Sequence, residues 1–209
     1  AGNAGPAATT ANYAVETLAP SVNSFTLSDT ALKAGDNATV TLVFSEAVAS
    51  FSSSADITVA NGTLAAMSSA DNITWAGTFT PTANTEDATN TLSLATSYTD
   101  TAGNAGPAAT TANYAVDTLL PTLAETTAVP SLTNDNSTQY TFSSSEGGTI
   151  SVGGSCSNSS DNNTAVADNM TVSFAALADG TYSNCTIKVT DQAGNTSSLI
   201  TLGSFTIDT

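Results

Sequence analysis

The chain has almost no basic residues and no histidine. Of its 209 residues only Lys33 and Lys188 are basic, against 18 acidic residues, and the formal net charge is −16. Neutralising phosphates requires Lys and Arg, so we expect neither nucleic acid nor an anionic membrane surface as a partner. Without histidine, Ser-His-Asp and Cys-His catalysis and imidazole zinc sites are excluded. The carboxylates instead favour hard divalent cations, Ca²⁺ first. The alternative is that the acidity only keeps the protein soluble.

Aromatic residues and long apolar runs are also scarce. Aromatics make up 6% of the chain, and no apolar run approaches the ~20 residues of a membrane span, so we expect no membrane insertion. Paired carboxylates can hydrolyse glycosides, but that chemistry usually occupies an aromatic-lined cleft, and we therefore do not expect an enzyme. The single tryptophan, Trp75, lies in a strand-like run and is predicted to be a core residue.

Only two cysteines are present, Cys156 and Cys185, and they lie 29 residues apart. In an extracellular protein this pair predicts one disulfide, which stabilises by roughly 3–4 kcal/mol in the chain-entropy model. The alternative is two reduced, buried thiols in a cytosolic protein.

A long repeat is the most informative feature that is present. Residues 1–20, AGNAGPAATTANYAVETLAP, return at 102–121, and only Glu16/Asp117 and Ala19/Leu120 differ. The spacing of 101 residues is the size of one small sandwich domain, so it predicts a slice of a tandem array. Residues 1–16 are then the tail of a preceding repeat, with Ala11–Glu16 as its last strand.

Short β-branched runs bounded by turn residues predict strands throughout, and no long helical period is present. The predicted strands are Ser21–Leu27, Ala38–Phe44, Ile57–Ala60, Thr74–Phe79, Thr91–Thr96, Ala112–Val116, Gln139–Ser143, Thr149–Val152, Met170–Phe174, Tyr182–Val189 and Leu199–Ile207. Asn61-Gly62 predicts a tight hairpin turn. We predict an all-β chain of two tandem Ig-like β-sandwich domains in an elongated array, residues 17–118 and 119–209, preceded by the orphan strand.

Acidic residues recur at three landmarks in each predicted domain: the linker, the loop after the second strand, and a DxAGN segment. In the second domain these are Asp117, Glu146 and Asp191, followed by Asn195; in the first they are Glu16, Glu46 and Asp100, followed by Asn104. These loops meet at one pole of an Ig sandwich, where three carboxylates repel unless a cation lies between them. Ca²⁺ takes 6–8 oxygens, so the Asn side chains, backbone carbonyls and water would complete each site. The alternative is ordinary turn chemistry without a metal.

Four further acids of the first domain, Asp36, Asp56, Glu86 and Asp87, are placed at its opposite pole, facing the second domain. Some of them are candidates to complete a shared site beside Asp117.

Three stretches, TLSDTALKAGDNATVTLVFSEAV, FTPTANTEDATNTLSLATSYTDTAGNAG and the DTLLP linker, resemble the bacterial Ig-like repeats of giant surface adhesins, including biofilm adhesins with RTX export tails. The SSSEGGTISVGGSC and DGTYSNCTIKVTDQAGN stretches resemble a sister type with a Cys pair. The resemblance implies calcium ions at domain junctions that stiffen a stalk, held by the six junction acids. Two departures are Glu16 in place of the usual linker Asp, and Ser144 in place of the Phe of the FSE motif, from which weaker binding by the second domain is expected.

The sequence therefore favours a Ca²⁺-rigidified structural extender in a secreted adhesin on a bacterial cell surface, whose partners are neighbouring repeats of the same chain. Two alternatives remain. In one, the chain is a subunit of an extracellular filament or surface layer, assembled when the orphan strand completes another copy by strand addition. In the other, it is a module that itself binds glycan, protein or ice.

Overall fold

The computed structural model describes residues 1–3, 5, 7–159 and 163–209. Within these ranges the chain forms twenty strands, β1–β20, and one four-residue helix, α1 (Ser53–Asp56). The predicted all-β class is confirmed. No helix in the described part of the chain has the length and apolarity to cross a membrane.

The first domain contains β1–β10 in three sheets. Its strands are β1 (Val22–Leu27), β2 (Ala31–Lys33), β3 (Ala38–Phe44), β4 (Ile57–Thr58), β5 (Gly62–Leu64), β6 (Thr74–Pro81), β7 (Glu86–Asn90), β8 (Ser93–Leu94), β9 (Ala109–Thr110) and β10 (Tyr114–Asp117). The sheet orders are β1-β3-β6-β5, β2-β10-β7 and β4-β8-β9. Strand β10 runs parallel to β2 and antiparallel to β7, so the end of the domain is held on both sides.

The second domain contains β11–β20, also in three sheets. Its strands are β11 (Leu123–Thr127), β12 (Leu132–Thr133), β13 (Gln139–Ser144), β14 (Gly148–Gly153), β15 (Thr164–Ala165), β16 (Asp168–Ser173), β17 (Gly180–Tyr182), β18 (Thr186–Thr190), β19 (Ile200–Thr201) and β20 (Phe205–Ile207). The sheet orders are β11-β13-β16, β12-β20-β17 and β15-β14-β18-β19. Strand β20 pairs with β12 and β17 as β10 pairs with β2 and β7, so the two domains share one topology at this sheet.

Alternating burial along the strands builds a separate core in each domain. In β3 the side chains of Ala38, Val40, Leu42 and Phe44 are buried, while the residues between them are not. This period of two places one face of a strand against the opposing sheet. The two cores contain no residue in common.

The cysteine pair forms the predicted disulfide, with a Cα–Cα distance of 5.2 Å. Both cysteines are buried in the core of the second domain. The bond joins the segment after β14 to the residue just before β18.

Aromatic rings pack against one another in the core of the first domain. Phe44 lies 5.6 Å from Phe51 and 4.9 Å from Tyr98, measured between ring centroids. Trp75 packs edge-on against Phe51 but is only partly buried, so it borders the core instead of filling it.

Four local predictions are wrong. Two predicted strands are each divided in the structure: Tyr182–Val189 contains residues of β17 and β18, and Leu199–Ile207 contains β19 and β20. Residues 11–16 form no strand, because strands need a partner and this segment is exposed and unpaired. Asn61-Gly62 does not close a hairpin, since β4 pairs with β8 and β5 pairs with β6. Asn61 does adopt the positive φ of a turn residue, 47°, but the turn carries the chain from one sheet to another.

Candidate metal centre at the domain junction

Three carboxylates meet where the first domain joins the second. Asp117 ends β10, Glu146 lies between β13 and β14, and Asp191 directly follows β18. One oxygen of each lies within 4.8 Å of the others. We call these three residues the lower junction. The structure thus brings together the acids that the sequence places in three separate loops, although their role as metal ligands stays a prediction.

Backbone groups hold the carboxylate of Asp191. Its Oδ1 accepts hydrogen bonds from the N–H groups of Gly194, at 2.7 Å, and Asn195, at 2.8 Å. Gly194 has a φ of +96°, a conformation that favours glycine, and this turn aims both N–H groups at the carboxylate. The DxAGN segment therefore fixes the direction of Asp191.

Glu146 carries an orphaned polar atom. Its Oε1 is buried and has no hydrogen-bond partner. The loop is anchored by Ser144, whose hydroxyl donates to the main-chain oxygen of Glu146 at 2.7 Å. A buried carboxylate oxygen without a partner is costly, and a cation beside it would remove that cost. This unpartnered oxygen is the observation that best supports a metal ion at the site.

The electrostatics of the lower junction oppose the ionisation of its own acids. Burial, then the charges of Asp191 and Glu86, raises the pKa of Asp117. Burial, followed by the charges of Asp191, Asp117 and Glu86, raises the pKa of Glu146. Desolvation and like charges both favour the protonated form of a carboxyl group, and a bound cation would reverse the effect.

A fourth acid, Glu86, reaches the same place from the first domain. It lies in β7 directly opposite Asp117 in the antiparallel pairing. Together with the three junction acids and Gln192 it lines a cleft of ≈ 540 Å³. Glu86 is one of the four acids that the sequence placed at this pole. Asp56 is not at this site, because it is buried in α1 and accepts hydrogen bonds from Ser52 and Ser97.

Asn195 meets the carboxylates with its amide nitrogen. Nδ2 donates to Asp191 Oδ2 and to the main-chain oxygen of Asp117, both at 2.9 Å. Its Oδ1 accepts from the N–H of Ala34, at 2.8 Å. Because a backbone N–H can only donate, this contact settles the orientation of the amide. In this geometry Asn195 positions the acids, whereas we predicted that its oxygen would be a ligand.

The upper junction, Glu16, Glu46 and Asp100, is not assembled. Asn104 repeats part of the Asn195 arrangement, since its Nδ2 donates to Asp100 Oδ2 at 2.8 Å and to Glu16 O at 3.3 Å. Among the described residues, however, only the lower junction brings three acids close enough to share an ion. The Glu16 side chain instead accepts from the N–H of Leu18 at 2.6 Å. Glu16 lies in an unpaired segment, whereas Asp117 is held between β2 and β7.

Comparison with known proteins gives the family. Residues 16–116 match one family of bacterial Ig-like domains, and residues 124–209 match a second. The chain consists of two tandem bacterial Ig-like domains. Among curated proteins, none matches the sequence significantly.

Solved structures with a similar arrangement include the Escherichia coli adhesin FdeC (13% identity, TM-score 0.43) and the Yersinia pseudotuberculosis adhesin InvE (15%, 0.38). The D0–D1 domain of intimin is also similar (14%, 0.27), with 88% of this chain and 98% of that chain covered. The FdeC and InvE comparisons each cover 89% of this chain, which spans 64% and 58% of their respective lengths.

Proposed function

We propose that the two bacterial Ig-like domains are extender modules in the stalk of a bacterial surface adhesin, and that Ca²⁺ at the lower junction makes the pair rigid. The observation that carries the proposal is the meeting of Asp117, Glu146 and Asp191 beside an unpartnered, buried Glu146 oxygen. Extracellular location is part of the proposal. The buried disulfide supports it, because such bonds persist in oxidising compartments.

The donor set suits calcium. All the side chains that would hold the ion offer carboxylate oxygens, which hard cations prefer, and nitrogen and sulfur ligands are absent from this group. Asp117, Glu146 and Asp191 would be the protein ligands, with Glu86 as a fourth carboxylate lining the cleft. When bound, the ion supplies the positive charge that these acids lack.

The stiffening follows from where the ligands lie. Asp117 ends the last strand of the first domain and begins the linker, Glu146 and Asp191 belong to the second domain, and Glu86 belongs to the first domain. An ion that contacts all three parts would oppose bending at the linker, because any change of angle would separate ligands. Pro121 adds to the stiffness, since its ring restricts φ. In the same way, a preceding domain that orders Glu16 would complete the upper junction with Glu46 and Asp100.

The test compares the two junctions. Calorimetric titration with CaCl₂ should show binding to the wild-type chain and at least a tenfold loss of affinity in the double variant Asp117→Asn with Glu146→Gln. The matched control, Glu16→Gln with Glu46→Gln, should keep the wild-type affinity. Small-angle scattering should show a narrower distribution of shapes with calcium than with EDTA. Identical heats for the wild type and the lower-junction variant would overturn the proposal.

A second candidate function, assembly by strand addition, is favoured by the exposed tail, residues 1–16. Tyr13 and Val15 are 84% and 73% exposed, whereas their copies Tyr114 and Val116 are 0% and 1% exposed. The Tyr114 ring packs 5.2 Å from that of Phe79, and its hydroxyl donates to Ala60 O. The tail therefore carries the side chains that fill the last-strand position of the first domain, and a second copy of the chain offers a matching position.

The first domain already fills that position with its own residues 109–117, so exchange would replace contacts by nearly identical ones. Assembly would then depend on protein concentration. Light scattering over a hundredfold concentration range should detect head-to-tail oligomers of the wild type and only monomers of a variant lacking residues 1–16. A wild-type chain that stays monomeric throughout would remove this candidate.

A further inference from the structure

Asn195 makes a contact with the first domain through a main-chain N–H and not through a carboxylate. Asn195 is 3% exposed, and its side chain joins three parts of the molecule. It accepts from Ala34 N in the first domain, donates to Asp117 O in the linker, and donates to Asp191 Oδ2 in its own loop. We infer that Asn195 is a latch that fastens the domains without a metal ion, and that the turn Lys33–Asp36 is the surface that docks on it.

The docking turn is rigid and presents Ala34 outward. Asp36 N–H donates to Lys33 O at 3.1 Å, which closes a four-residue turn. Gly35 has a φ of +87°, as the third position of a type II turn requires. The Asp36 carboxylate also accepts from the backbone N–H and the ammonium group of Lys33, both at 3.1 Å. With the turn closed in this way, Ala34 N–H is free to donate to the next domain.

Packing completes the contact. A Cβ added to Gly194 would lie 3.4–3.5 Å from the Cδ and Cε atoms of Lys33, so the lysine side chain covers this glycine. The corresponding glycine of the first domain, Gly103, has nothing within 4 Å of the same position. The latch thus consists of one polar contact and one apolar contact, both made by the turn on the Gly-Asn pair of the DxAGN segment.

Only an amide can fill this role. Asn195 must accept from Ala34 and donate twice toward Asp117 and Asp191, and an Asp at this position would accept only and would add a further negative charge. The upper junction carries the same Gly-Asn pair, and Asn104 makes the same bonds to Asp100 and to Glu16 O. The partner that fits the upper end of the first domain is therefore the Lys33–Asp36 type of turn on another Ig-like domain.

The test is made in EDTA, so that it does not depend on calcium. NMR relaxation should show the two wild-type domains partly coupled, with rotational correlation times closer to each other than those of two independent domains. Asn195→Ala should separate their rotational correlation times, and Asn104→Ala, the matched control, should not. Ala34→Pro removes the N–H while a proline suits this position of a type II turn, and it should also uncouple the domains. Ala34→Gly keeps the N–H and should leave them coupled.

Unchanged coupling in Ala34→Pro would overturn the latch, even where Asn195→Ala disturbs its own loop. The result is separable from the calcium proposal. Coupling in EDTA that is lost in Ala34→Pro supports the latch whether or not calcium binds. A calcium response combined with no effect of Ala34→Pro supports the metal site alone.

Discussion

The lower and upper junctions lie in nearly the same sequence, 18 of 20 residues being identical around their linkers, but only the lower one gathers its three carboxylates. At the lower junction the linker acid is the last residue of a strand that is paired on both sides. At the upper junction the linker acid follows an unpaired segment and turns toward Leu18 N. The comparison teaches that a linker acid is positioned by the domain before it, and that the linker sequence alone does not position it.

The largest expected effect concerns Phe44 and Ser144, which lie two positions before the loop acids Glu46 and Glu146. Phe44 is buried among Phe51 and Tyr98, and we expect Phe44→Ala to lower the free energy of unfolding of the first domain by about 3–5 kcal/mol. Ser144→Ala removes only the hydrogen bonds to Glu146, and should cost about 1 kcal/mol. Urea unfolding followed by domain-resolved NMR measures both. Equal losses would show that the two loops are anchored alike.

The next effect separates hydrogen bonding from calcium binding. Asp191 and Asp100 each accept backbone N–H bonds and one amide bond from an Asn, so Asp191→Asn and Asp100→Asn should weaken their loops similarly. Calcium at a hundredfold excess over its dissociation constant should stabilise the wild type by about 2.7 kcal/mol. We expect Asp191→Asn to lose most of that gain and Asp100→Asn to keep it, as measured by thermal unfolding with and without calcium. A calcium response that survives in Asp191→Asn contradicts the assignment.

The acids of the two junctions should also respond to pH with opposite sign. Without calcium, the raised pKa values of Asp117 and Glu146 mean that the folded chain holds protons more tightly than the unfolded chain. Their contribution to stability therefore increases as pH falls toward the raised pKa values, and is lost as pH rises through them. The hydrogen bond from Asn104 lowers the pKa of Asp100 below 3.8, so its contribution is present above that value and is lost in stronger acid.

Thermal unfolding in EDTA from about pH 7 down to the ordinary carboxyl range near pH 4 tests the sign at the lower junction. Acidification should stabilise the wild type relative to the variant Asp117→Asn with Glu146→Gln, which lacks both titrating groups. Parallel curves for the two proteins would show that folding does not raise the pKa values of these two acids.

The smallest effect concerns Glu86, the acid that the first domain adds to the lower junction. Glu86→Gln removes one negative charge from the cleft, and the change in pairwise energy at such distances is about 1 kcal/mol or less. In EDTA we expect a modest gain in the free energy of unfolding, measured by denaturant titration. We also expect a several-fold loss of calcium affinity, measured by calorimetric titration. The matched control is Asp179→Asn, in the loop before β17 of the second domain. It should change neither the stability of the lower junction nor its calcium affinity. A gain in calcium affinity in Glu86→Gln would exclude Glu86 from the site.

Much of the fold was predictable because its signals are local. The alternation of Ala38–Phe44 indicates a strand with one buried face, and the structure has β3 there. The spacing of the repeat indicates two domains of one kind, and the pair Cys156–Cys185 indicates the disulfide. Each acid of the lower junction follows a predicted strand, so the sequence placed Asp117, Glu146 and Asp191 in loops at one pole.

The sequence predictions that failed concern which strands pair with each other and which groups share a hydrogen bond. Asn61-Gly62 has the chemistry of a hairpin turn, but the strand before it pairs with Ser93–Leu94, more than thirty residues further along the chain. Ala11–Glu16 has nearly the sequence of residues 112–117, which include the buried strand β10. It is exposed because no strand pairs with it. The amide nitrogen of Asn195 faces the acids because the N–H of Ala34, 161 residues away, donates a hydrogen bond to the amide oxygen.

The sequence by itself determined that this is an acidic, all-β chain of repeated Ig-like units with paired landmarks at each linker, because composition, periodicity and repetition can be read along the chain. Only the tertiary structure decided which junction closes, that Glu86 joins it, and that Asn195 bridges the domains. These outcomes depend on strand pairing and on contacts between residues far apart in sequence, and the same local sequence has different neighbours at the two ends of the first domain.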